Sequence, residues 1–419
     1  MIRTLVVADN YPWAPSSGAL IRLSNLIAAV AELGPVDLFC CPWDRHKEEG
    51  EPPPEGLLSR FKTVTRAVRP KGMRLQMLQI LAITKMSTPR SLSIADDKYT
   101  RVEFVNWVKP PYDLVMFVET APYVRFHDLI DAPVIVDLEN LESFKLSGQL
   151  ATTKTIDIVS LLQVRGLLGM VKRLLDMWDV VRWRRLESAL VRNAIAVFVC
   201  SELDRLRLDA RNCFVIRNGY EPKLTVERNR HPHPATLTLI GLMTYEPNCD
   251  GALYFVNEIL PTIRAEMPGV ELRIVGHFNA RFNQIADSPN VTVTGFVPDL
   301  TNELTRADVA VVPLRFGGGT RIKILEAFAY GIPVVSTSLG CEGLEAKDDK
   351  HLLIADDPQE FAAACLRLLR DPSERKRIGE GGHLLWKQKF RWTDIRRYIV
   401  EVVNAVINDK RSQSFDRTT

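Results

Sequence analysis

Short apolar runs alternate with amphipathic segments along most of the chain. In the first half, Leu5–Ala8 predicts a buried strand, the periodic segment Ala19–Leu33 a helix, and Val36–Cys41 a second strand. Because parallel strands need a helical crossover, this βαβ order indicates a parallel sheet with helices on its faces. We therefore expect an α/β fold with a Rossmann-like half-domain, whose ligand crevice lies at the carboxyl ends of the strands.

The same pattern restarts in the second half. Thr236–Ile240 predicts a strand, Gly241–Gly251 a loop and Ala252–Arg264 a helix, whereas residues 221–235 contain three prolines and show no periodicity. A chain of 419 residues also suits two cores better than one. The predicted organisation is an N-terminal Rossmann-like domain (1–220), a linker (221–235), a C-terminal Rossmann-like domain (236–390), a C-terminal helix (391–410) and a frayed tail (411–419).

A glycine-rich turn joins a strand to a helix in the stretch Pro313–Ser336. Three successive glycines, Gly317–Gly319, let the backbone approach a ligand, and the helix predicted over Thr320–Tyr330 offers unpaired N–H groups. Arg321 and Lys323 lie in its first turn, where cations oppose the helix dipole unless an anion is bound. The pattern predicts a phosphate site. A plain glycine turn between two core elements is the alternative.

Carboxylates supply the remaining candidate chemistry. Glu326 follows Lys323 by three residues, so it shares a helix face with that lysine and could accept from paired hydroxyls, as on a ribose. In the first half, acidic residues follow two predicted strands, Tyr112–Val118 and Ala132–Val136; they are Glu119, then Asp137, Glu139 and Glu142. Sites of α/β proteins form at such strand ends. Solvated loop carboxylates or helix caps are the alternative interpretation.

The overall charge and the cysteines narrow the function classes. The balance of 54 basic against 51 acidic residues requires no polyanion, so no nucleic-acid partner is expected. Seven scattered cysteines without a Cys-x-x-Cys indicate neither a disulfide framework nor a zinc site, which favours the reducing cytoplasm and no bound metal. We find no signal-peptide pattern at the N-terminus and no run of 18 apolar residues.

Two basic amphipathic segments, Lys71–Lys85 and Ile156–Asn193, leave a membrane surface open as a further partner. Helices with basic, Trp-bearing faces can lie on anionic membranes. The expected location would then be the inner face of the membrane. Ordinary core-facing helices with solvated outer faces are the alternative.

Specific motifs separate the enzyme classes. The sequence contains no P-loop, no Gly-x-Gly-x-x-Gly after the first strand and no evident nucleophile–His pair, so ATP hydrolysis and dehydrogenase chemistry lack support. By contrast, the run GGGTRIKILEAFAYGIPVVST closely resembles the donor-site segment of retaining glycosyltransferases of family 4, the GT-B group with a Glu-x7-Glu signature. Glu326 matches the second glutamate, and Gly318 stands where the first would be. This departure recurs in a subgroup that carries GGG-T-x-x-K before the helix.

The resemblance implies two Rossmann-like domains with parallel sheets facing a central cleft. The loop after Ile240 resembles the G-x-M-x-x-x-P-N variant, which lacks the usual cations, so Arg321 and Lys323 would carry more of the phosphate charge. In the resembling fold, backbone groups of Phe296 and Val297 meet the base, and Ser17 and Gly18 belong to the acceptor-side loop. The full set of implied donor-binding residues is Gly241, Asn248, Phe296, Val297, Gly317, Gly318, Gly319, Thr320, Arg321, Lys323 and Glu326.

The implied activity is retaining transfer of a sugar from a nucleotide-diphosphate sugar to a hydroxyl of a glycan, glycolipid or small molecule, without a cofactor. Polysaccharide or glycolipid assembly is the family's commonest use. Lys323 would stabilise the leaving diphosphate, while Asp137 or Glu139 would orient the acceptor hydroxyl or take its proton. A GT-B epimerase or hydrolase, and a non-catalytic binding subunit, remain alternatives.

Overall fold

The chain folds into two compact units. A computed structural model describes residues 1–13, 18–42, 51–65, 88–93, 98–152, 164–222, 235–278, 285, 289–297, 299–317 and 321–415. The first unit combines Met1–Arg217 with Thr393–Thr419, and the second comprises Asn218–Trp392. The chain therefore divides a few residues before the predicted linker, and residues 223–234 of that linker lie outside the described residues.

A seven-stranded, fully parallel sheet forms the centre of the first unit. Its strand order is β3-β2-β1-β4-β5-β6-β7. The strands are β1 (Thr4–Ala8), β2 (Val36–Cys40), β3 (Arg60–Thr63), β4 (Leu114–Val118), β5 (Val134–Leu138), β6 (Ala196–Val199) and β7 (Cys213–Val215).

Helices surround this sheet. In the described part of the first unit they are α1 (Gly18–Ala31), α2 (Arg90–Ser93), α3 (Lys98–Trp107), α4 (Thr120–Phe126), a 3₁₀ turn (His127–Leu129), α5 (Glu142–Thr152), α6 (Val164–Asn193) and α7 (Glu202–Leu208). No helix of the described residues combines the length and the apolar character that crossing a bilayer requires. Of the two basic segments, Lys71–Lys85 lies outside the described residues, and the second corresponds to α6 from Val164 onward.

A six-stranded parallel sheet forms the second unit, in the order β10-β9-β8-β11-β12-β13. Its strands are β8 (Thr236–Ile240), β9 (Glu271–Val275), β10 (Val291–Gly295), β11 (Val309–Val312), β12 (Val334–Ser336) and β13 (Leu353–Ile354). Its described helices are α8 (Glu246–Tyr254), a π-helix (Phe255–Ile259), α9 (Leu260–Glu266), α10 (Thr301–Arg306), α11 (Ile322–Ala329), α12 (Pro358–Arg370) and α13 (Pro372–Lys389). The C-terminal helix is α14 (Trp392–Phe415).

Both sheets have buried central strands, which confirms the α/β prediction. Every residue of β1, β4, β8 and β11 is buried, as expected for parallel strands covered by helices on both faces. In each sheet the strand order reverses once near the middle, between β1 and β4 and between β8 and β11. Ligands of open α/β sheets bind at such switch points, at the carboxyl ends of the strands.

Three predicted boundaries were wrong. The helix expected from Ala252 begins at Glu246, because Pro247 occupies its first turn, where a missing N–H costs nothing. The C-terminal helix continues to Phe415 instead of ending at residue 410. The strand predicted at 132–136 is shifted to Val134–Leu138, so Asp137 lies inside a strand and not after it.

Candidate functional site

Two helix N-termini meet at the switch point of the second sheet. Gly241 directly follows β8, and Asn248 is the third residue of α8. Lys323 is the second residue of α11, and its Nζ donates to Oδ1 of Asn248 across 2.7 Å. The amide nitrogen of Asn248 in turn donates to the carbonyl of Leu242 at 3.0 Å. Since each helix N-terminus carries partial positive charge, this arrangement favours an anionic ligand.

Glycine is required after β8 because the two polar side chains fill the space a Cβ would occupy. A Cβ at Gly241 would lie 2.9 Å from the Nζ of Lys323 and 2.8 Å from the Nδ2 of Asn248. Gly276, after β9, is equally constrained, since its Cβ would lie 2.0 Å from the carbonyl oxygen of Gly241. Both glycines also have positive φ. The sequence thus keeps the backbone clear where the lysine and asparagine converge.

Arg321 supports the glycine turn instead of standing open to a ligand. Its side chain is buried, and Nη2 donates to the carbonyl of Gly317 at 2.9 Å. Gly317 has a φ of 120°, a region that favours glycine. Burial lowers the pKa of Arg321. Gly318, Gly319 and Thr320 lie outside the described residues.

Lys323 and Glu326 form a titratable pair on one face of α11. Burial, together with the positive charge of Arg321, lowers the pKa of Lys323 to about 7. Burial also raises the pKa of Glu326 to about 7, against the opposing effect of Lys323. A lysine with this pKa gains a proton readily when an anion binds beside it. The pair is therefore poised to respond to a phosphate group.

Aromatic rings mark the neighbouring strand ends. The rings of His277 and Phe296 stack with centroids 4.8 Å apart and planes at 8°, and Phe296 is 43% exposed. These two residues follow β9 and β10, next to Gly276 and Gly295. Val297 instead packs, partly buried, against the core. The family resemblance implied backbone contacts with the base here; the structure adds an exposed ring face.

In the first unit, Asp137 is the partner of a buried arginine. The Nε of Arg22 donates to Oδ2 of Asp137 at 2.9 Å, and Nη2 donates to Oδ1 at 2.5 Å. The two side chains are 1% and 0% exposed, and Nη1 of Arg22 also donates to the carbonyl of Ile216. Asp137, in β5, therefore binds Arg22 of α1, and the same arginine also holds the carbonyl of Ile216. This position does not suit the expected role in contacting an acceptor.

A small pocket, partly open to solvent, lies at the switch point of this first sheet. Residues after β1, β4 and β5 line it, together with the start of α1; its polar lining is Asp9, Asn10, Arg22, Glu119, Asp137 and Glu139. Of the residues expected on the acceptor side, Glu139 lines the pocket, Gly18 begins α1, and Ser17 lies outside the described residues.

Glu119 was noted in the sequence as a strand-end carboxylate, but no role was assigned to it. It follows β4 with φ 71° and ψ 164°, a region that side-chain-bearing residues rarely occupy. Burial, followed by the charges of Asp9 and Glu139, raises its pKa to about 8. The only signal in the sequence was its place after a buried strand, which it shares with many loop carboxylates.

Comparison with known proteins places this geometry in context. Residues 234–371 match the family model described as Glycosyl transferases group 1. A Klebsiella pneumoniae protein described as an "Uncharacterized 44.6 kDa protein in cps region" is 25% identical over 158 residues, which cover 35% of this chain. The match spans 40% of that relative's length.

Solved structures match almost the whole chain. Sucrose-phosphate synthase from Thermosynechococcus elongatus superposes with a TM-score of 0.64 at 17% identity, over 97% of this chain and 100% of that one. HepE from Anabaena, solved with UDP and glucose, gives 0.59 at 13% identity over 96% and 100%. WaaG, a glycosyltransferase involved in lipopolysaccharide biosynthesis, gives 0.61 at 12% identity over 96% and 99%. Residues 234–371 are thus similar to the family described as Glycosyl transferases group 1, and the two parallel Rossmann-like sheets match the GT-B fold.

Proposed function

We propose that this protein is a retaining glycosyltransferase, which moves a sugar from a nucleotide-diphosphate sugar to a hydroxyl group. One observation carries the proposal: Gly241, Asn248 and Lys323 converge where the N-termini of α8 and α11 meet. A diphosphate placed there would gain charge-assisted hydrogen bonds, each contributing about 1.5–3 kcal/mol.

Lys323 stabilises the charge that develops on the leaving diphosphate. Its amine is held by Asn248 before any ligand arrives, so little reorganisation is needed during the reaction. Asn248 offers its amide at the same point, and Arg321 acts indirectly by fixing the carbonyl of Gly317. The chain thereby provides positive charge from one lysine and two helix N-termini.

Glu326 binds the ribose of the donor. It lies one helical turn after Lys323, and no hydrogen bond to its carboxyl group is found among the described residues. A carboxylate at this point accepts from the paired hydroxyls of a ribose. Phe296, stacked on His277, provides an exposed ring face for the base.

The acceptor binds in the first unit, and the transfer proceeds with retention. In retaining transfer of this kind the acceptor hydroxyl attacks from the face that the diphosphate leaves, and the departing phosphate takes the proton. Glu139 lines the first-unit pocket, which supports it as the residue that orients that hydroxyl. The described relatives from a cps region and from lipopolysaccharide biosynthesis support assembly of a surface glycan as the setting.

A thermal-shift panel of UDP, GDP, ADP and TDP and their glucose conjugates tests the donor site. At a concentration 100 times Kd, a ligand of the native state stabilises it by about 2.7 kcal/mol. We expect one base to raise the unfolding temperature of the wild type and of Glu380→Ala, whose side chain is exposed, but not of Glu326→Ala. If no nucleotide stabilises the protein, the donor proposal fails and a non-catalytic role gains support. Conversion of the donor without any acceptor would instead support the epimerase or hydrolase alternative.

A further inference from the structure

We infer that one exposed face of α6 docks this protein on an anionic lipid surface, with the helix lying in the plane of the membrane. The docking face is formed by Met170, Leu174, Met177, Trp178, Arg184 and Arg185. Three features support the assignment: the contiguous exposed apolar side chains, the arginines that continue the same face, and the charge balance of the surrounding helices. The docking face does not involve the residues of the donor site, so it goes beyond the proposed transfer.

Four large apolar side chains form a stripe on the N-terminal half of α6. Met170, Leu174, Met177 and Trp178 follow the spacing i, i+4, i+7 and i+8, which places them on one face of the helix. They are 40%, 59%, 52% and 37% exposed, in that order. Single exposed apolar residues are common on protein surfaces, whereas a contiguous group is typical of an interaction site. The stripe therefore indicates a docking surface.

The same face becomes basic beyond the stripe. Arg184 and Arg185 are exposed and follow Met177 and Trp178 by seven residues, which is about two helical turns. The guanidinium group of Arg185 lies over the Trp178 ring, 5.9 Å from its centroid. Tryptophan suits the boundary between lipid headgroups and acyl chains, and the planar guanidinium group suits phosphate. The face thus combines apolar side chains for the acyl boundary with cations for the headgroups.

The carboxylates of α6 do not neutralise these arginines at the surface, because all three are bound within the first unit. Arg90 donates to Asp176 at 2.5 Å and to Asp179 at 2.6 Å. The third, Glu187, is buried and accepts from Ser143 at 2.6 Å. The carboxylates of the adjacent helices α5 and α7 are also paired with cations, in the pairs Glu142–Lys145, Glu202–Arg205 and Asp204–Arg207. The surplus at the face is positive, which complements an anionic surface.

A lipid surface fits this face better than a protein partner does. Each partner in a stable protein interface supplies about 800 Å² of surface, which is more than four partly exposed side chains provide. A second copy of the chain would place arginine against arginine, or arginine over the apolar stripe. On a membrane, by contrast, the apolar side of an amphipathic helix enters the headgroup boundary, while long basic side chains reach the phosphates.

Flotation with lipid vesicles tests the assignment. We expect the wild type to bind vesicles of equal parts phosphatidylcholine and phosphatidylglycerol, to bind pure phosphatidylcholine weakly, and to dissociate at high salt, which screens the arginines. Two double variants remove one part of the face each: Leu174→Ser with Met177→Ser, and Arg184→Glu with Arg185→Glu. Each should lower the partition coefficient at least about tenfold.

Exposed residues of α13 supply the matched controls. Leu384 is 56% exposed, nearly as much as Leu174, and Lys376 and Lys387 are exposed as well. Leu384→Ser, and Lys376→Glu with Lys387→Glu, should float as the wild type does. No flotation of the wild type, equal losses in test and control variants, or a loss in the arginine variant alone would each overturn docking through this face. UDP binding, measured on the same samples, tests the donor site separately, so either proposal can fail without the other.

A fluorophore at position 174 reports contact with the lipid directly. All seven native cysteines are buried, so Leu174→Cys offers an exposed thiol for a polarity-sensitive dye. We expect its emission to shift to shorter wavelength when the anionic vesicles are added, whereas Leu384→Cys, labelled in the same way, should not respond. Vesicle binding without a shift at position 174 would overturn the assignment. Dimerisation in solution that Leu174→Ser abolishes would also overturn it, and would assign the face to a second copy of the chain.

Discussion

The Nζ of Lys323 lies 2.7 Å from the Oδ1 of Asn248, so a single hydrogen bond joins the first turns of two helices. Replacing Lys323 with Met removes the cation and the bond together. We expect the Kd for UDP to rise about 10- to 100-fold, which corresponds to the 1.5–3 kcal/mol of a charged hydrogen bond. Isothermal titration calorimetry measures this. Lys376→Met, on an exposed face of α13, is the control and should bind as wild type does; a loss of similar size in both variants would argue against the site.

The pH dependence of nucleotide binding offers an independent test. Since the pKa of Lys323 is lowered to about 7, the free protein loses this proton above pH 7, and a bound diphosphate must restore it. Affinity for UDP should therefore fall by up to about tenfold per pH unit above 7. Lys323→Arg keeps its charge, so its affinity should stay flat between pH 7 and 9. Parallel slopes for the two proteins would exclude Lys323 as the titrating group.

Glu326 should make stability depend on pH in the acidic range. Its pKa is raised from 4.5 in the unfolded chain to about 7 in the fold, so the native state holds a proton that the unfolded state has lost. The contribution is full below pH 4.5 and disappears as pH rises through 7, by at most about 1.4 kcal/mol per pH unit. Urea midpoints of wild type and Glu326→Gln measure it. Their difference should change between pH 4.5 and 7; a constant difference would contradict the pKa assignment.

The buried pair of Arg22 and Asp137 predicts a non-additive effect on stability. Asp137→Leu leaves the arginine charge buried without its carboxylate and should lower the free energy of unfolding by about 3–5 kcal/mol. The double variant Arg22→Met, Asp137→Leu removes both charges and should recover most of that loss. Urea unfolding followed by circular dichroism gives both values. Additive losses would show that the two residues act separately.

Alanine substitutions at two glycines should have different effects, one on folding and the other on nucleotide binding. Gly276→Ala directs a Cβ at the carbonyl oxygen of Gly241, a backbone atom that cannot move aside cheaply, so the protein should be strongly destabilised. Gly241→Ala meets the ends of two side chains, Lys323 and Asn248, which can shift away from each other. We expect this second variant to fold but to lose UDP affinity. Thermal unfolding measures the stability of both variants, and calorimetry measures their affinity for UDP. Wild-type affinity in Gly241→Ala would contradict the prediction.

Sequence patterns predicted the central strands of both sheets. The runs Leu5–Ala8, Val36–Cys41 and Thr236–Ile240 are short and apolar, and the strands observed there differ by a residue at most. The structure brings together Gly241, Asn248 and Lys323, which the family resemblance assigned to the donor site; their role in donor binding stays a prediction. Local pattern works here because both the strand and the glycine turn are specified by adjacent residues.

The first-unit site depends on relations that no local pattern carries. Asp137 interrupts an apolar run, so the strand was expected to end before it. Its buried position depends on Arg22, which is 115 residues away in the sequence. The unusual backbone of Glu119 is likewise set by its neighbours in the fold and not by its own residue type. Burial of charge and strain of backbone are properties of the assembled sheet.

The first unit is assembled from two separated segments, 1–217 and 393–419, whereas the second is continuous. During synthesis, residues 218–392 leave the ribosome before the final helix exists, so the second unit has its complete sequence first. Until then the first unit lacks α14, whose buried face includes Ile399 and Val403. A nascent chain would expose the apolar surface that this helix covers. A chaperone that binds such surfaces would therefore bind the first unit, although its residues 1–217 are synthesised before the second unit.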